Sequence, residues 1–134
     1  LQKLSKLDEA EASYRQAITL KPDFVEAHYN FGFVLQELGR LDEAEACCRQ
    51  LIALNPENAK AHYNLGITLQ KQDKLDEAEA SYRQAISLKS DYVEAHHNLG
   101  ATIMKSGRYK EGLNELMIGG GFISFDLENG LAIV

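Results

Sequence analysis

The sequence of 134 residues lacks several features that define large classes of protein. It has no tryptophan, only two prolines, and no apolar run of about 18 residues, the length that a membrane-spanning helix requires. Positive charge is not in excess either, because 14 basic residues stand against 20 acidic ones and the net charge is −6. Nucleic acids and anionic membranes attract clustered lysine and arginine. We therefore expect neither a nucleic acid nor a membrane as a partner.

Groups that carry chemistry are also scarce. The two cysteines, Cys47 and Cys48, are neighbours in the chain, and neighbouring cysteines rarely satisfy the geometry of a disulfide. Two cysteines are also too few ligands to form a zinc site. The glycines at 119–121 lack the lysine and the preceding strand of a phosphate-binding loop. No arrangement of serine, histidine and aspartate matches a catalytic motif. We predict no enzymatic activity, no metal site and no cofactor.

The chain starts at Leu1 rather than at a methionine, and Leu1 lies in a segment of helical pattern. We interpret the sequence as a piece of a longer protein, from which a targeting segment could be missing. The adjacent cysteines are expected to be reduced, which favours a cytoplasmic location.

What the sequence does contain is a repeat of 34 residues. The hexapeptide Leu-Asp-Glu-Ala-Glu-Ala occurs at 7–12, 41–46 and 75–80, and the segments 6–18 and 74–86 are identical. A period of about 20–50 residues indicates a solenoid, a propeller or a similar array of stacked units. Apolar residues recur at helical spacing within each unit, and strand alternation is confined to the C-terminal end.

Each unit has the pattern of two helices joined by a short break. Gly39 and Gly107 stand in the break, because glycine readily takes the left-handed conformation that ends a helix. Pro22 and Pro56 follow the second helix of their units, because proline cannot continue the helical hydrogen-bond ladder. Acidic pairs open the second helices, where negative charge is favourable.

These units resemble the tetratricopeptide repeat family. The resemblance rests on three apolar–glycine pairs and on small residues at close helix contacts: Phe31-Gly32, Leu65-Gly66, Leu99-Gly100, Ala10, Ala44, Ala78, Ala17 and Ala85. It implies an all-α, right-handed solenoid of antiparallel helix pairs over residues 1–118. The chain departs from the family at Leu51 and Gly112, which replace alanines, and at three histidines that replace a frequent tryptophan.

The register of the repeat divides the chain into five parts. They are a partial repeat at 1–24, complete repeats at 25–58 and 59–92, a degenerate last repeat at 93–118, and a glycine-rich linker with a strand-like tail at 119–134. Within the partial repeat we predict the end of one helix at 1–4 and a second helix at 8–20.

The tail has a pattern of its own. Ile123, Phe125 and Leu127 alternate with polar residues, and this period of two is typical of a strand. Asn129-Gly130 favours a type I′ turn, so we predict a short β-hairpin-like tail after a helix break at 119–121. Two interpretations remain open: the tail begins a further domain, or it folds back over the apolar face of the last helix.

Asparagine recurs in the middle of the first helix of three units, as Asn30, Asn64 and Asn98. Asparagine is unfavourable there, because its side chain competes for backbone hydrogen bonds. Its amide offers both a donor and an acceptor to an extended peptide. The row resembles the asparagine ladder of the superhelical repeat arrays in O-linked N-acetylglucosamine transferase-like proteins, which implies a concave face that holds a peptide main chain. The alternatives are bracing of a neighbouring helix and simple inheritance by duplication.

The same face of the first helices supplies the other candidates for peptide binding. They are Tyr29, Tyr63, His97, Phe33, Ile67, Lys60, Gln36 and Gln70. The repeated histidines His28, His62 and His96 are expected to pack between helices. Equivalent residues of adjacent units lie on the order of 10 Å apart, whereas the ligands of one metal ion lie about 2 Å from it. The three histidines therefore cannot share one metal ion.

We therefore predict a protein–protein interaction module that binds an extended peptide or partner segment in the concave groove. One alternative is the substrate-recruiting arm of a larger enzyme, such as a glycosyltransferase. Another is a scaffold that assembles as a homo-oligomer through exposed repeat ends. In each case the expected partner is a protein or a peptide.

Overall fold

A computed structural model describes residues 2–120, 124–126 and 131–133, with side chains over residues 6–118. The described residues form seven helices and two short strands. In chain order these are α1 (Gln2–Leu20), α2 (Val25–Glu37), α3 (Leu41–Leu54), α4 (Ala59–Lys71), α5 (Leu75–Leu88), α6 (Val93–Lys105), α7 (Tyr109–Gly120), β1 (Ser124–Asp126) and β2 (Leu131–Ile133). We term α2, α4 and α6 the first helices, and α1, α3, α5 and α7 the second helices. Each helix packs against the next one in the chain, as expected of an all-α solenoid.

All three first helices end in the same hydrogen-bonded turn. Gly39 and Gly107 have positive φ angles of 77° and 92°, and Asp73, at the equivalent position, has a φ of 62°. The next amide donates to a carbonyl five residues earlier, as Arg40 N does to Leu35 O at 2.9 Å. This is the Schellman ending of a helix. Asp73 fits it because aspartate visits the left-handed region more readily than most residues do.

The predicted break between residues 4 and 8 is wrong, because α1 runs without interruption from Gln2 to Leu20. The position that holds Gly39 in the next unit holds Ser5 here, and serine has no preference for the left-handed turn that separates the helices elsewhere. The predicted helix break at 119–121 also comes later than expected, since α7 continues to Gly120. Glycine weakens a helix without forbidding it.

Apolar side chains of consecutive helices form the core between units. Tyr82 of α5 is fully buried. It packs in one cluster with Leu65 and Leu69 of α4 and with Leu99 and Ile103 of α6. Burial stabilises the fold by about 1.5–3 kcal/mol for each large apolar side chain. Because the cluster joins three helices, a unit is stabilised mainly by the units beside it.

Ion pairs recur between the second helices of neighbouring units. In the first group, Glu11 and Arg15 of α1 meet Arg40 and Glu43 at the start of α3, with nitrogen–oxygen distances between 2.5 and 3.2 Å. The same group recurs two periods later between α5 and α7, where its members are Glu79, Arg83, Arg108 and Glu111. These half-exposed pairs contribute little each.

The adjacent cysteines of α3 carry free thiols. Burial raises the pKa of the Cys47 thiol to about 11 and that of Cys48 to about 12. Both thiols therefore stay protonated near neutral pH, and protonated thiols are poor nucleophiles.

The tail contains the predicted pair of strands. β1 and β2 pair in antiparallel register, with Phe125 opposite Ala132. The predicted turn at Asn129-Gly130 lies outside the described residues, and both interpretations of the tail's role stay predictions. No helix in the described part of the chain is long and apolar enough to cross a membrane.

Candidate peptide-binding face

The three first helices lie side by side and form one surface, which we term the first-helix face (residues 25–37, 59–71 and 93–105). Side chains bond across this surface from helix to helix. The Gln36 side-chain nitrogen donates to the Thr68 hydroxyl at 2.7 Å, and the Thr102 hydroxyl oxygen lies 3.4 Å from the Gln70 side-chain oxygen. Gln36 and Gln70, both predicted to contact a ligand, are thus partly engaged in joining neighbouring helices.

The three asparagines take up equivalent, half-buried positions on the first-helix face. The Asn98 amide nitrogen donates to the Tyr63 hydroxyl at 3.0 Å, which is the bracing arrangement between α6 and α4. Among residues 6–118, whose side chains are described, the amides of Asn30 and Asn64 have no hydrogen-bond partner. The row of asparagines therefore has one member that braces its neighbour and two whose amides have no partner within the described residues.

Tyrosines and a lysine lie around these amides. Tyr63 contacts the ring of Tyr92, with centroids 4.9 Å apart, and Lys60 Nζ lies 4.7 Å from the centroid of the Tyr29 ring. Burial raises the pKa of Tyr29 and of Tyr63, so both keep their hydroxyl protons at neutral pH. His97, the third residue at this repeat position, is exposed.

Apolar surface and small cavities complete the face. Phe33 is 61% exposed, whereas Ile67 is half-buried against the core. A cavity of about 40 Å³ between α2 and α4 is lined by Tyr29, Phe33 and Asn64, among other residues. An open groove of about 490 Å³ lies between α4 and α6. Its lining consists of Ile67, Gln70, Lys71, Asp73, Asn98 and Lys105.

Two residues of this face were not among the sequence candidates. Thr68 and Thr102 are buried, and each hydroxyl donates to the carbonyl of the asparagine four residues earlier, at 3.1 and 2.8 Å. The Thr68 hydroxyl also accepts from Gln36 of α2, and that of Thr102 lies beside Gln70 of α4. The recurrence of threonine at a spacing of 34 residues was the available signal, and it indicates a contact between helices rather than a ligand contact.

The repeated histidines hold the turn that precedes each first helix. His28 Nε2 bonds the Pro22 carbonyl at 2.7 Å, and His62 Nε2 bonds that of Pro56 at 3.0 Å. His28 and His96 are buried, as the packing interpretation requires. Within the described part of the chain, no group of three or more His, Cys, Asp or Glu side chains is placed to hold a metal ion.

His96 differs from the other two in having acceptors at both ring nitrogens. Nε2 faces the Ser90 carbonyl at 2.9 Å, and Nδ1 faces the Glu115 carboxylate of α7 at 2.8 Å. Only the doubly protonated ring can donate to both. Burial by itself lowers the pKa of His96, but the hydrogen bonds to Glu115 and Ser90 outweigh it and raise the pKa above its ordinary value.

This geometry predicts a pH dependence of stability. Because the folded pKa of His96 is raised, its stabilisation is complete below the unfolded pKa of about 6.5 and is lost as pH rises through the folded value. Replacing Glu115 by glutamine should remove most of that dependence. The measurement is the free energy of unfolding by urea at several pH values on either side of neutrality. Parallel pH profiles for the two proteins would contradict the prediction.

Comparison with known proteins agrees with this architecture. The family model described as "Tetratricopeptide repeat" matches residues 23–91, just over half of the chain, and a second one, "TPR repeat", matches residues 2–39. No curated protein matches the chain.

Solved structures of MamA share the fold. MamA from Desulfovibrio magneticus RS-1, residues 41 to the end, is 21% identical with a TM-score of 0.80, over 90% of this chain and 68% of that one. A second crystal structure of MamA protein is 24% identical with a TM-score of 0.77, over 84% and 62% of the two chains. At this identity the likeness concerns the fold alone, and it confirms the predicted all-α solenoid. By fold and by sequence, the chain belongs to the tetratricopeptide repeat family.

Proposed function

We propose that this chain is a protein–protein interaction module whose first-helix face binds an extended peptide segment. The observation that carries the proposal is the presence on that face of two half-buried amides, Asn30 and Asn64, with no partner among the described residues. Each amide offers a donor and an acceptor, and an extended main chain presents both at every residue. Membership of a family of non-catalytic binding repeats supports the proposal.

The apolar surface beside the amides supports the same function. Phe33 is exposed and lines the same small cavity as Asn64. A peptide lying there gains apolar burial from Phe33 and main-chain pairing from Asn64. Exposed aromatic area next to polar pairing groups is a common composition of protein-binding surfaces.

The asparagines should contribute unequally to binding. The Asn98 amide is already bonded to Tyr63, so a ligand has less of it to use. We expect Asn64→Ala to weaken peptide binding more than Asn98→Ala does. Loss of one or two neutral hydrogen bonds corresponds to roughly a fivefold to hundredfold change in affinity.

A screen of an unbiased peptide library tests the proposal. The wild-type chain should retain extended peptides, and the triple variant with alanine at Asn30, Asn64 and Asn98 should lose them while keeping its helicity by circular dichroism. Asn114→Ala, an exposed substitution on α7, serves as the control and should retain the same peptides. Equal retention by the wild type and the triple variant would show that the asparagines are structural only.

A second candidate function, self-association, is favoured by the outer surface of α7. The positions that hold the Glu–Arg pairs of the first three units hold Leu113 and Met117 in the fourth. Together with Tyr109, which is 66% exposed, they line an open groove of about 620 Å³. If another repeat of the same type packed on α7, its charged turn would lie against this apolar surface, which is a poor match. A second copy fits better, because two antiparallel α7 helices place Tyr109 of one against Met117 of the other.

Sedimentation velocity across a dilution series tests self-association. We expect a concentration-dependent dimer that is lost in Leu113→Glu. Val93→Glu replaces an exposed apolar residue on α6 and should leave the dimer intact. A monomer at the highest concentration would exclude this surface as a self-association site.

A further inference from the structure

The outer stripe of each first helix repeats one arrangement: a charged residue, the asparagine, an apolar residue and a second charged residue. The spacing i, i+4, i+7 and i+11 places all four on one side of a helix. The stripes are Glu26-Asn30-Phe33-Glu37 in α2, Lys60-Asn64-Ile67-Lys71 in α4 and Glu94-Asn98-Ala101-Lys105 in α6. The asparagine is constant, whereas the charges change from two acidic to two basic to one of each.

The surroundings of α4 are locally basic in a chain whose net charge is −6. At the C-terminal end of the helix, Lys71 and Lys105 line the groove between α4 and α6 with one carboxylate, that of Asp73. At its N-terminal end, Lys60 and Lys89 line a groove of about 350 Å³ with the carboxylate of Glu94. Lysines thus outnumber carboxylates at both ends of the α4 stripe.

The acidic and the basic stripes are neighbours on the first-helix face. Lys60 of the α4 stripe reaches over the ring of Tyr29, an α2 residue next to Asn30 of the acidic stripe. Packed helices lie about 8–10 Å apart. An extended chain rises about 3.3 Å per residue and alternates its side chains between two faces, so two residues on the same face are about 7 Å apart and long side chains cover the rest of that distance. A peptide that crosses from α2 to α4 can therefore present one side chain to the acidic stripe and the next side chain on the same face to the basic stripe.

We propose that the peptide held on the first-helix face carries a basic side chain opposite α2 and an acidic side chain opposite α4, two residues apart, so that both point to the same side of the extended chain. The constant asparagines hold the main chain, and the changing charges select the sequence. The inference rests on the proposed function and names the class of segment that this face accepts. Charges at the edge of an interface act chiefly on specificity and association rate.

Three synthetic peptides of equal length test this selection by fluorescence anisotropy. One carries lysine and glutamate two residues apart, the second carries lysine at both positions, and the third carries glutamate at both. The wild type should bind the mixed peptide on the order of tenfold more tightly than either of the others. In the Lys60→Glu/Lys71→Glu variant both stripes are acidic, so the lysine peptide should become the tightest.

The control is Lys21→Glu/Lys110→Glu, which makes the same change in net charge away from the stripes and should keep the wild-type order. Equal binding of the three peptides by the wild type, or an unchanged order in the Lys60→Glu/Lys71→Glu variant, would overturn the charge assignment while leaving main-chain binding in place. Failure of the wild type to bind any peptide, in this set or in the library, would overturn the proposed function together with this inference.

Discussion

Replacing Gly100 by alanine is expected to destabilise the protein by about 2–3 kcal/mol. The same change at the equivalent Gly32 should stabilise it by up to about 1 kcal/mol. A Cβ on Gly100 would lie 2.7 Å from the Gly112 carbonyl oxygen and 2.9 Å from the Leu116 nitrogen. Both are backbone atoms of α7, so the two helices would have to separate to admit the methyl group.

Gly32 provides the matched control, because it holds the same place in its own unit. Its added Cβ would meet the Cys47 Cβ at 3.6 Å, an ordinary van der Waals contact. Alanine is also the better residue in a helix interior. Urea denaturation of the wild type and the two variants gives the comparison. A loss of similar size in both variants would show that the position tolerates only glycine throughout the array.

Truncating Tyr82 to alanine should cost about 3–5 kcal/mol of unfolding free energy. Its ring is fully buried between α4 and α6 and lies against Gly66, where a Cβ would come within 2.5 Å of a ring carbon. The measurement is again the urea midpoint, together with near-ultraviolet circular dichroism for the packing of the remaining tyrosines.

Tyr82→Phe removes the hydroxyl group and keeps the ring, so it distinguishes the contributions of the two to stability. The hydroxyl donates to the Gln70 side-chain oxygen at 2.8 Å. Losing this single neutral hydrogen bond should cost only about 1 kcal/mol. If the phenylalanine variant were as unstable as the alanine variant, the polar network of Gln70, and not the packing of the ring, would hold these units together.

The parts of the fold that depend on local sequence were predictable. The period of 34 residues, the helix pairs and the turns at Gly39 and Gly107 follow from composition at fixed spacing. The prediction failed where the local signal was weak. Ser5 was assigned the same break as Gly39 although it lacks the conformational preference that makes the break, and α1 is continuous there.

The candidate site was predictable as a face but not residue by residue. Gln36, Gln70 and Asn98 were grouped with Asn30 and Asn64 because the helical spacing places all of them on the same face of the first helices. The structure separates them, because the threonines on neighbouring helices and Tyr63 occupy the side chains of the first three. Residues at equivalent repeat positions have different hydrogen-bond partners when the neighbouring residues differ between units. The repeat position alone therefore does not predict which side chains are already bonded.

Two predictions made from the sequence remain predictions. One is the resemblance of the asparagine row to that of the O-linked N-acetylglucosamine transferase-like arrays, which implies that Asn30, Asn64 and Asn98 hold a peptide main chain. A role as the substrate-recruiting arm of a larger enzyme would require a catalytic domain in the same polypeptide. The first is tested by the peptide experiments, and the second by the sequence of the full-length gene.

The most direct test of the central claim is the side-chain amide region of a ¹⁵N-edited nuclear magnetic resonance spectrum, recorded during titration with the tightest peptide from the library. Three groups are compared: the asparagines of the first-helix face (Asn30, Asn64 and Asn98), Asn55 of a turn, and Asn114 of α7. We predict that the amide signals of Asn30 and Asn64 shift most and saturate with the peptide, while those of the turn and of α7 stay in place. If the peptide binds but leaves Asn30 and Asn64 unchanged, the first-helix amides do not hold the main chain, and the account of this face is wrong.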